Sequence, residues 1–257
     1  MSVMRSLARS IKLAGYFARY GAELIVKRPA SREERADWLH RFAAAAIRGL
    51  GITLEVEGDF PRHGALISNH LSYLDIIVYA ALSPCVFVSK IEVVSYPILG
   101  WMTTMAGTVY VARGQGGSAV KAKAGMDAAL HAGLPVVFFP EGTTSNGSGL
   151  LKFHSGLLAQ VLGADAPVTA GHLCYSMDAD NGKATVSDDV CYWGDEVQLM
   201  PHIFGLLGLT GVTARVRFAD SPIRFTSDAD NRKRAAQEAW VAVAELSQRS
   251  TEQVHHF

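Results

Sequence analysis

Through residues 1–28 polar side chains recur every three or four positions: Arg5, Arg9, Lys12, Tyr16, Arg19, Glu23 and Lys27. Leu7, Ile11, Leu13, Ala14, Phe17, Leu24 and Ile25 supply the apolar side. That period predicts a helix with one mostly basic face. Such a helix suits a membrane interface with anionic lipid, and an ordinary surface helix docked on its own domain shows the same pattern. Pro29 breaks it. Ser31-Arg32-Glu33-Glu34 places a hydroxyl at a cap and a carboxylate three residues later, the pattern of a capping box. A second helix is expected to about Leu50, with Trp38, Leu39, Phe42, Ala46 and Ile47 inward and Gly49 and Gly51 at its end.

From Ile52 the period changes. Ile52 to Glu57 alternates like a half-exposed strand, and Ala65-Leu66-Ile67-Ser68 is a short apolar strand running into His70. A helix is expected over about 72–82, strands over 85–89 and 108–112, and a helix over 118–132 ended by Gly133. Val136 to Phe139 is an apolar strand that delivers Pro140-Glu141-Gly142. Further strands fall at 168–173 and 214–218, and a closing helix at 229–248 puts Trp240, Val243 and Leu246 on the core. Strands alternating with helices predict an α/β fold: a single layered domain with a mostly parallel central sheet flanked by helices, preceded by an N-terminal helical hairpin. The expected division is a docking hairpin over 1–50 and an α/β domain over 51–257.

Composition narrows this picture. The chain has 257 residues, 49% of them hydrophobic, and a formal net charge of +0. The mean hydropathy of +0.15 is high for a soluble protein and low for a polytopic membrane protein. No global charge argues for nucleic acid. Cys85, Cys174 and Cys191 lack metal-ligand spacing and read as buried thiols in a reducing compartment. No signal-peptide core follows the first arginines. The stretches from Val93 to Ala112 and from Val197 to Ala214 carry no Asp, Glu, Lys or Arg, but glycines and prolines interrupt them. They are expected to form buried strands and a hydrophobic groove, not spanning helices.

The chemistry centres on His70 and Asp75. A His just past a strand, with an Asp five residues on in the first turn of a helix, forms the base-and-orienter part of a catalytic triad without its serine. Asp75 would hold one imidazole nitrogen and fix the tautomer, and the other nitrogen could take a proton from a substrate alcohol. Asn69, Ser72 or backbone N–H groups could serve a tetrahedral oxyanion. Glu141, at the carboxyl end of a strand, lies where open α/β sheets bind ligands. Gly142 allows close backbone approach, and Thr143, Thr144 and Ser145 offer hydroxyls. The same features also suit a cap-region Asp beside an unrelated His, and a helix N-cap cluster after Glu141. Gly114-x-Gly116 after a strand imitates a dinucleotide fingerprint, but lacks its later acid.

Asn69-His70-x-Ser72-x-x-Asp75, taken with Phe139-Pro140-Glu141-Gly142-Thr143, resembles the glycerolipid acyltransferase family of bacterial 1-acyl-sn-glycerol-3-phosphate acyltransferases and related lysolipid acyltransferases. The resemblance covers about residues 52–223, and residues 1–50 look like the membrane-docking hairpin of bacterial members. It implies that His70 is the base and Asp75 its orienter. It also implies that Arg113, closing Gly107 to Ala112, binds the acceptor's phosphate, and that Glu141 and Gly142 contact the acceptor. Ala166-Pro167-Val168 looks like a fourth block. Thr144 stands where the family usually has Arg, and His154 where it often has Lys. A hydroxyl cannot make the bidentate phosphate contact of a guanidinium. The Gly-Thr-Thr variant looks like the branch that acylates lyso-ornithine lipids or other lysolipids, as do Tyr192 to Asp195 and Pro201-His202.

The expectation is a peripheral enzyme on the cytoplasmic side of the cell inner membrane. It would transfer a fatty acyl group from acyl carrier protein or coenzyme A to the hydroxyl of 1-acylglycerol-3-phosphate, or of a lyso-ornithine lipid. No metal or resident cofactor is expected, since the thioester is a co-substrate. A non-catalytic lipid-binding protein and an acyl-thioester hydrolase are the competing classes.

Overall fold

The computed structural model describes residues 2–96, 99–112, 118–162, 166–194, 197–226 and 231–252. The helices are α1 Val3–Lys27, α2 Arg32–Leu50, α3 Leu74–Leu82, α4 Leu99–Met105, α5 Ser118–His131, α6 Ser155–Leu162, α7 Val186–Asp189, α8 Leu199–Gly208 and α9 Arg232–Glu252. The strands are β1 Thr53–Glu57, β2 Ala65–Ile67, β3 Val86–Lys90, β4 Val109–Val111, β5 Val136–Phe138, β6 Val168–Met177 and β7 Val212–Phe218. They form one sheet in the order β1-β7-β6-β2-β5-β3-β4. Every adjacent pair is parallel except β6 and β7, as the strand–helix alternation implies.

β2 and β5 are short and apolar because both faces of the sheet are covered there. Their side chains alternate between two cores. Leu66 and Val137 join Trp38, Phe42, Tyr79 and Leu173 in a layer built by α1, α2, α3 and α8. Ala65, Ile67, Val136 and Phe138 join Met126, Leu158 and Val243 in the layer under α5, α6 and α9. Edge strand β1 is more exposed than its alternation suggested. It is held by pairing with β7 and by the ion pairs Arg215–Glu55 and Arg217–Glu57.

The first two helices pack into the first of these cores. The capping box is present: Glu34 N donates to Ser31 Oγ and Ser31 N to the Glu34 carboxylate. Arg41 on α2 grips Glu23 on α1 with both terminal nitrogens. Trp38 stacks on Phe42 and donates its indole N–H to the Tyr20 carbonyl.

The orientation of α1 departs from expectation. Arg5 and Arg9 were expected on the helix's outer basic face, with Leu7, Ile11 and Ile25 on its apolar side. Instead Arg5 donates to the Gly208 carbonyl, and Arg9 to those of Leu207 and Leu209. The two cations thus bind the last carbonyls of α8, where the helix dipole is negative. Met4, Leu7, Ile11, Ile25 and Val26 are left 58–84% exposed. Leu13, Phe17 and Leu24 face inward. Gly208 permits the close crossing, because a Cβ there would lie 2.6 Å from Ser6 Oγ.

The two interrupted apolar stretches are mixed, not all strand. The first contributes α4 and β4, and the second contributes α8 and the start of β7. Among the described residues no helix is long and apolar enough to cross a membrane.

Candidate active site

β2 ends at Ile67, and the chain turns over the carboxyl edge of the sheet. Neighbouring β6 runs on past β2, from Ala170 opposite Ile67 to Met177. Asn69 bridges the gap: its side-chain amide donates to the Leu173 carbonyl and accepts from Leu173 N, both at 2.8 Å. A side chain thereby imitates one further rung of the parallel ladder. Both polar atoms of Asn69 are thereby engaged with the strand, which fixes the orientation of the amide. Ser72 Oγ is buried and has no hydrogen-bond partner.

The next residue is His70. Its Nδ1 lies 2.7 Å from Asp75 Oδ2. A carboxylate only accepts, so this bond makes Nδ1 the donor; in the neutral ring Nε2 is then the acceptor. Asp75 sits in the first turn of α3 and is fully buried, while the His70 side chain keeps 17% exposure. The carboxylate is saturated with donors. Oδ2 also accepts Leu71 N at 2.6 Å and Ser72 N at 3.0 Å, and Oδ1 accepts the Tyr175 hydroxyl at 2.7 Å. Phe139, the residue after β5, stacks on the imidazole with centroids 4.0 Å apart and planes 6° from parallel.

Glu141 lies beneath this pair. One carboxylate oxygen accepts His70 N and the other Leu151 N, both at 3.2 Å. The His70 carbonyl in turn accepts Ser145 N at 2.9 Å. The backbone of the base is therefore held on both sides by the segment after β5. Glu141 was expected to contact an acceptor; the structure buries it and turns both oxygens onto backbone amides. Burial pushes its pKa up to about 7; Asp75 adds to the rise, and the two N–H donors oppose it.

The remaining expected residues divide. Gly142 takes the left-handed conformation that a turn requires, with φ 66° and its N–H on the Phe139 carbonyl. Thr143 is exposed and Thr144 half-buried beside it, and the His154 side chain is exposed. β4 points the same way as β2 and β5, so its carboxyl end lies on the same edge of the sheet. Arg113 and the glycines of the Gly114-x-Gly116 motif lie outside the described residues. Beyond His70, Tyr73 donates to His202 Nδ1 at 3.1 Å, and His202 Nε2 donates to the Cys191 carbonyl. Tyr192 packs against both rings.

Three contributors escaped the sequence reading: Tyr175, the stacking face of Phe139, and the rung made by Asn69. The available signal for the first was a tyrosine within an apolar strand, whose hydroxyl must find a partner when buried. Among the described residues no group of three or more His, Cys, Asp and Glu stands close enough to hold a metal ion.

Comparison with known proteins agrees with this arrangement. The family model described as Acyltransferase matches residues 52–170, which run from β1 into β6 and include His70, Asp75 and Glu141. The lyso-ornithine lipid O-acyltransferase of Pseudomonas aeruginosa is 39% identical over 155 residues, 59% of this chain and 58% of that protein. The chain thus spans little more than half of that relative's length. The 1-acyl-sn-glycerol-3-phosphate acyltransferase of Neisseria meningitidis serogroup B is 31% identical over 220 residues, 84% of each. The crystal structure of the 1-acyl-sn-glycerophosphate acyltransferase from Thermotoga maritima superposes with a TM-score of 0.67, at 18% identity over 96% of both chains, and so shares the fold. A motif pair at one sheet edge, a family model across it and a relative matched over most of both lengths converge: the chain belongs to the acyltransferase family.

Proposed function

We propose that this protein is a lysolipid O-acyltransferase in which His70 is the general base. The observation that carries the reading is the 2.7 Å bond from Nδ1 to Asp75, which in the neutral ring leaves the lone pair on Nε2 of a side chain that is not fully buried. Nε2 takes the proton of a lysolipid hydroxyl as its oxygen attacks the carbonyl of an acyl thioester. The tetrahedral adduct collapses, the thiolate leaves, and the imidazolium returns the proton to it. The substrate alcohol is the nucleophile, so no acyl-enzyme forms. Positioned base help of this kind is worth roughly 10²–10⁴-fold.

The donor is a thioester of acyl carrier protein or coenzyme A, and the acceptor is 1-acylglycerol-3-phosphate. A lyso-ornithine lipid is the second acceptor, favoured by the neutral Thr144 in place of arginine and by His154 in place of lysine. The names of the relatives cover both acceptors. The outward apolar face of α1, with exposed Trp101 near Gly21, supports peripheral docking on a membrane, which we place at the cytoplasmic side of the inner membrane.

The test is one purified sample given an acyl thioester and, side by side, lysophosphatidate and lyso-ornithine lipid. Acylation of either, lost in His70→Ala, is the expected result. Thioester turnover that needs neither lipid would instead identify a hydrolase.

A further inference from the structure

Asp75 has two oxygens with different partners. Oδ2 holds the imidazole and two loop amides, all from residues 70–72. Oδ1 reaches a different part of the chain: it accepts the hydroxyl of Tyr175, 100 positions later, at 2.7 Å within the core. Tyr175 lies on the same face of β6 as Leu173, which anchors Asn69. The strand thus meets the catalytic loop at two successive inward positions, first its backbone and then its acidic group. Burial raises the Tyr175 pKa well above its ordinary value, so the phenol stays a donor over the working pH range. Tyr79 and Cys191 also sit near this carboxylate, both with pKa raised by burial, and Glu141 approaches from the β5 side. Among the described residues Tyr175 is the one side chain besides His70 that hydrogen-bonds Asp75.

We propose that Tyr175 is a positioning residue of the acyl transfer, the third member of a Tyr175–Asp75–His70 relay that sets the orientation and basicity of the imidazole. The proposal rests on the reading of His70 as base. Its physical content is electrostatic. A hydroxyl on Oδ1 draws charge away from Oδ2 and tempers its pull on the Nδ1 proton. Without that hydroxyl the carboxylate stabilises an imidazolium more strongly, and the base holds its proton to higher pH. It also loses the one bond on Oδ1 that helps to fix the rotation of Asp75 about its χ2 axis, and with it the line from Oδ2 to Nδ1.

The experiment compares wild type, Tyr175→Phe and His70→Ala on palmitoyl-coenzyme A, with whichever of the two lysolipids the wild type acylates. Tyr175→Phe is expected to lower kcat by about tenfold, well short of the loss from removing the base itself, with KM for the thioester unchanged. The acidic limb of its kcat–pH profile moves up by roughly half a unit or more. A merely structural tyrosine would lower the melting temperature and leave kcat and the limb in place, and that result overturns the proposal. Nitrogen-15 NMR of the histidines, with the His70 signal identified by its loss in His70→Ala, reads the same shift without turnover. An unmoved His70 titration in Tyr175→Phe also overturns the proposal. If His70→Ala keeps full activity while the His70 titration still moves, the base reading fails and the hydrogen-bonded coupling survives it. Should Tyr175→Phe not fold, 3-fluorotyrosine placed at position 175 keeps the ring and strengthens the donor. The acidic limb then moves down, and a limb that stays put refutes the relay.

Discussion

The loop from Ser68 to Asp75 and the helix from Val3 to Lys27 treat polar atoms in opposite ways. In the loop every oxygen of Asp75, both polar atoms of Asn69 and both backbone groups of His70 have partners, nearly all inside the protein. In the helix two arginines turn inward and a row of Met, Leu and Ile side chains is left facing out. The loop is determined internally, because buried polar groups without partners cost about 1–3 kcal/mol each, and among its described side chains Ser72 Oγ alone is left without one. The helix is determined on one side only, and its other side needs a surrounding that accepts apolar groups. The loop is built to hold still; the helix is built to meet something.

The sharpest way to break that contrast is at the loop. His70→Ala should cut acyl transfer by about 10²–10⁴-fold and cost about 1–3 kcal/mol of stability, since it removes a stacked ring and one partner of the buried Asp75 carboxylate. A stable, fully active variant would mean that the ordered loop serves something other than base catalysis. Next in size is the helix. Leu7→Glu with Ile11→Glu should leave the fold intact, because both positions are exposed, and should reduce co-sedimentation with phosphatidylglycerol-containing vesicles by tenfold or more, at about 25 cal/mol per Å² of lost apolar contact. Unchanged sedimentation would assign the apolar row to another partner.

A subtler test concerns Glu141, whose pKa stands near 7 against an ordinary 4.5. Between those values the folded chain binds more protons at this site than the unfolded chain does. Stability therefore falls as pH rises from 4.5 to about 7, and the full penalty is present above that window. Glu141→Gln removes this slope and forfeits one N–H acceptor. It should be less stable than wild type at the acidic end, with the gap narrowing as pH rises, and urea melts at several pH values measure it. The smallest effect is Ser31→Ala, which deletes the cap of α2 and should cost about 1 kcal/mol in the same melts without changing turnover.

Much of this was legible in the sequence because it is local. The capping box needs only Ser31 and Glu34; β2 and β5 declare themselves as apolar runs; and His70 and Asp75 are five residues apart. The parts that were not legible depend on which strands become neighbours. Tyr175 meets Asp75 only because β6 lies beside β2 and outruns it. The inward turn of Arg5 and Arg9 follows from the unpaired carbonyls at the end of α8, about 200 positions away in the chain, which no helical period in residues 1–28 can encode. The position of Glu141 at a strand end was legible. Its two backbone partners, the amides of His70 and Leu151, were not, because they depend on which segments its loop brings within reach.

The rung made by Asn69 turns β6 into a ruler for the catalytic loop. Positions along that ruler alternate, so sliding the loop by one residue would set Asp75 beside Cys174 or Ser176, whose side chains point to the other face, and leave it without a phenol. Aspartate at position 69 would read the ruler wrongly, because it cannot donate to the Leu173 carbonyl. Insertions in the stretch before Gly64 leave this gauge untouched, whereas a single residue added between Ala170 and Leu173 moves its zero mark.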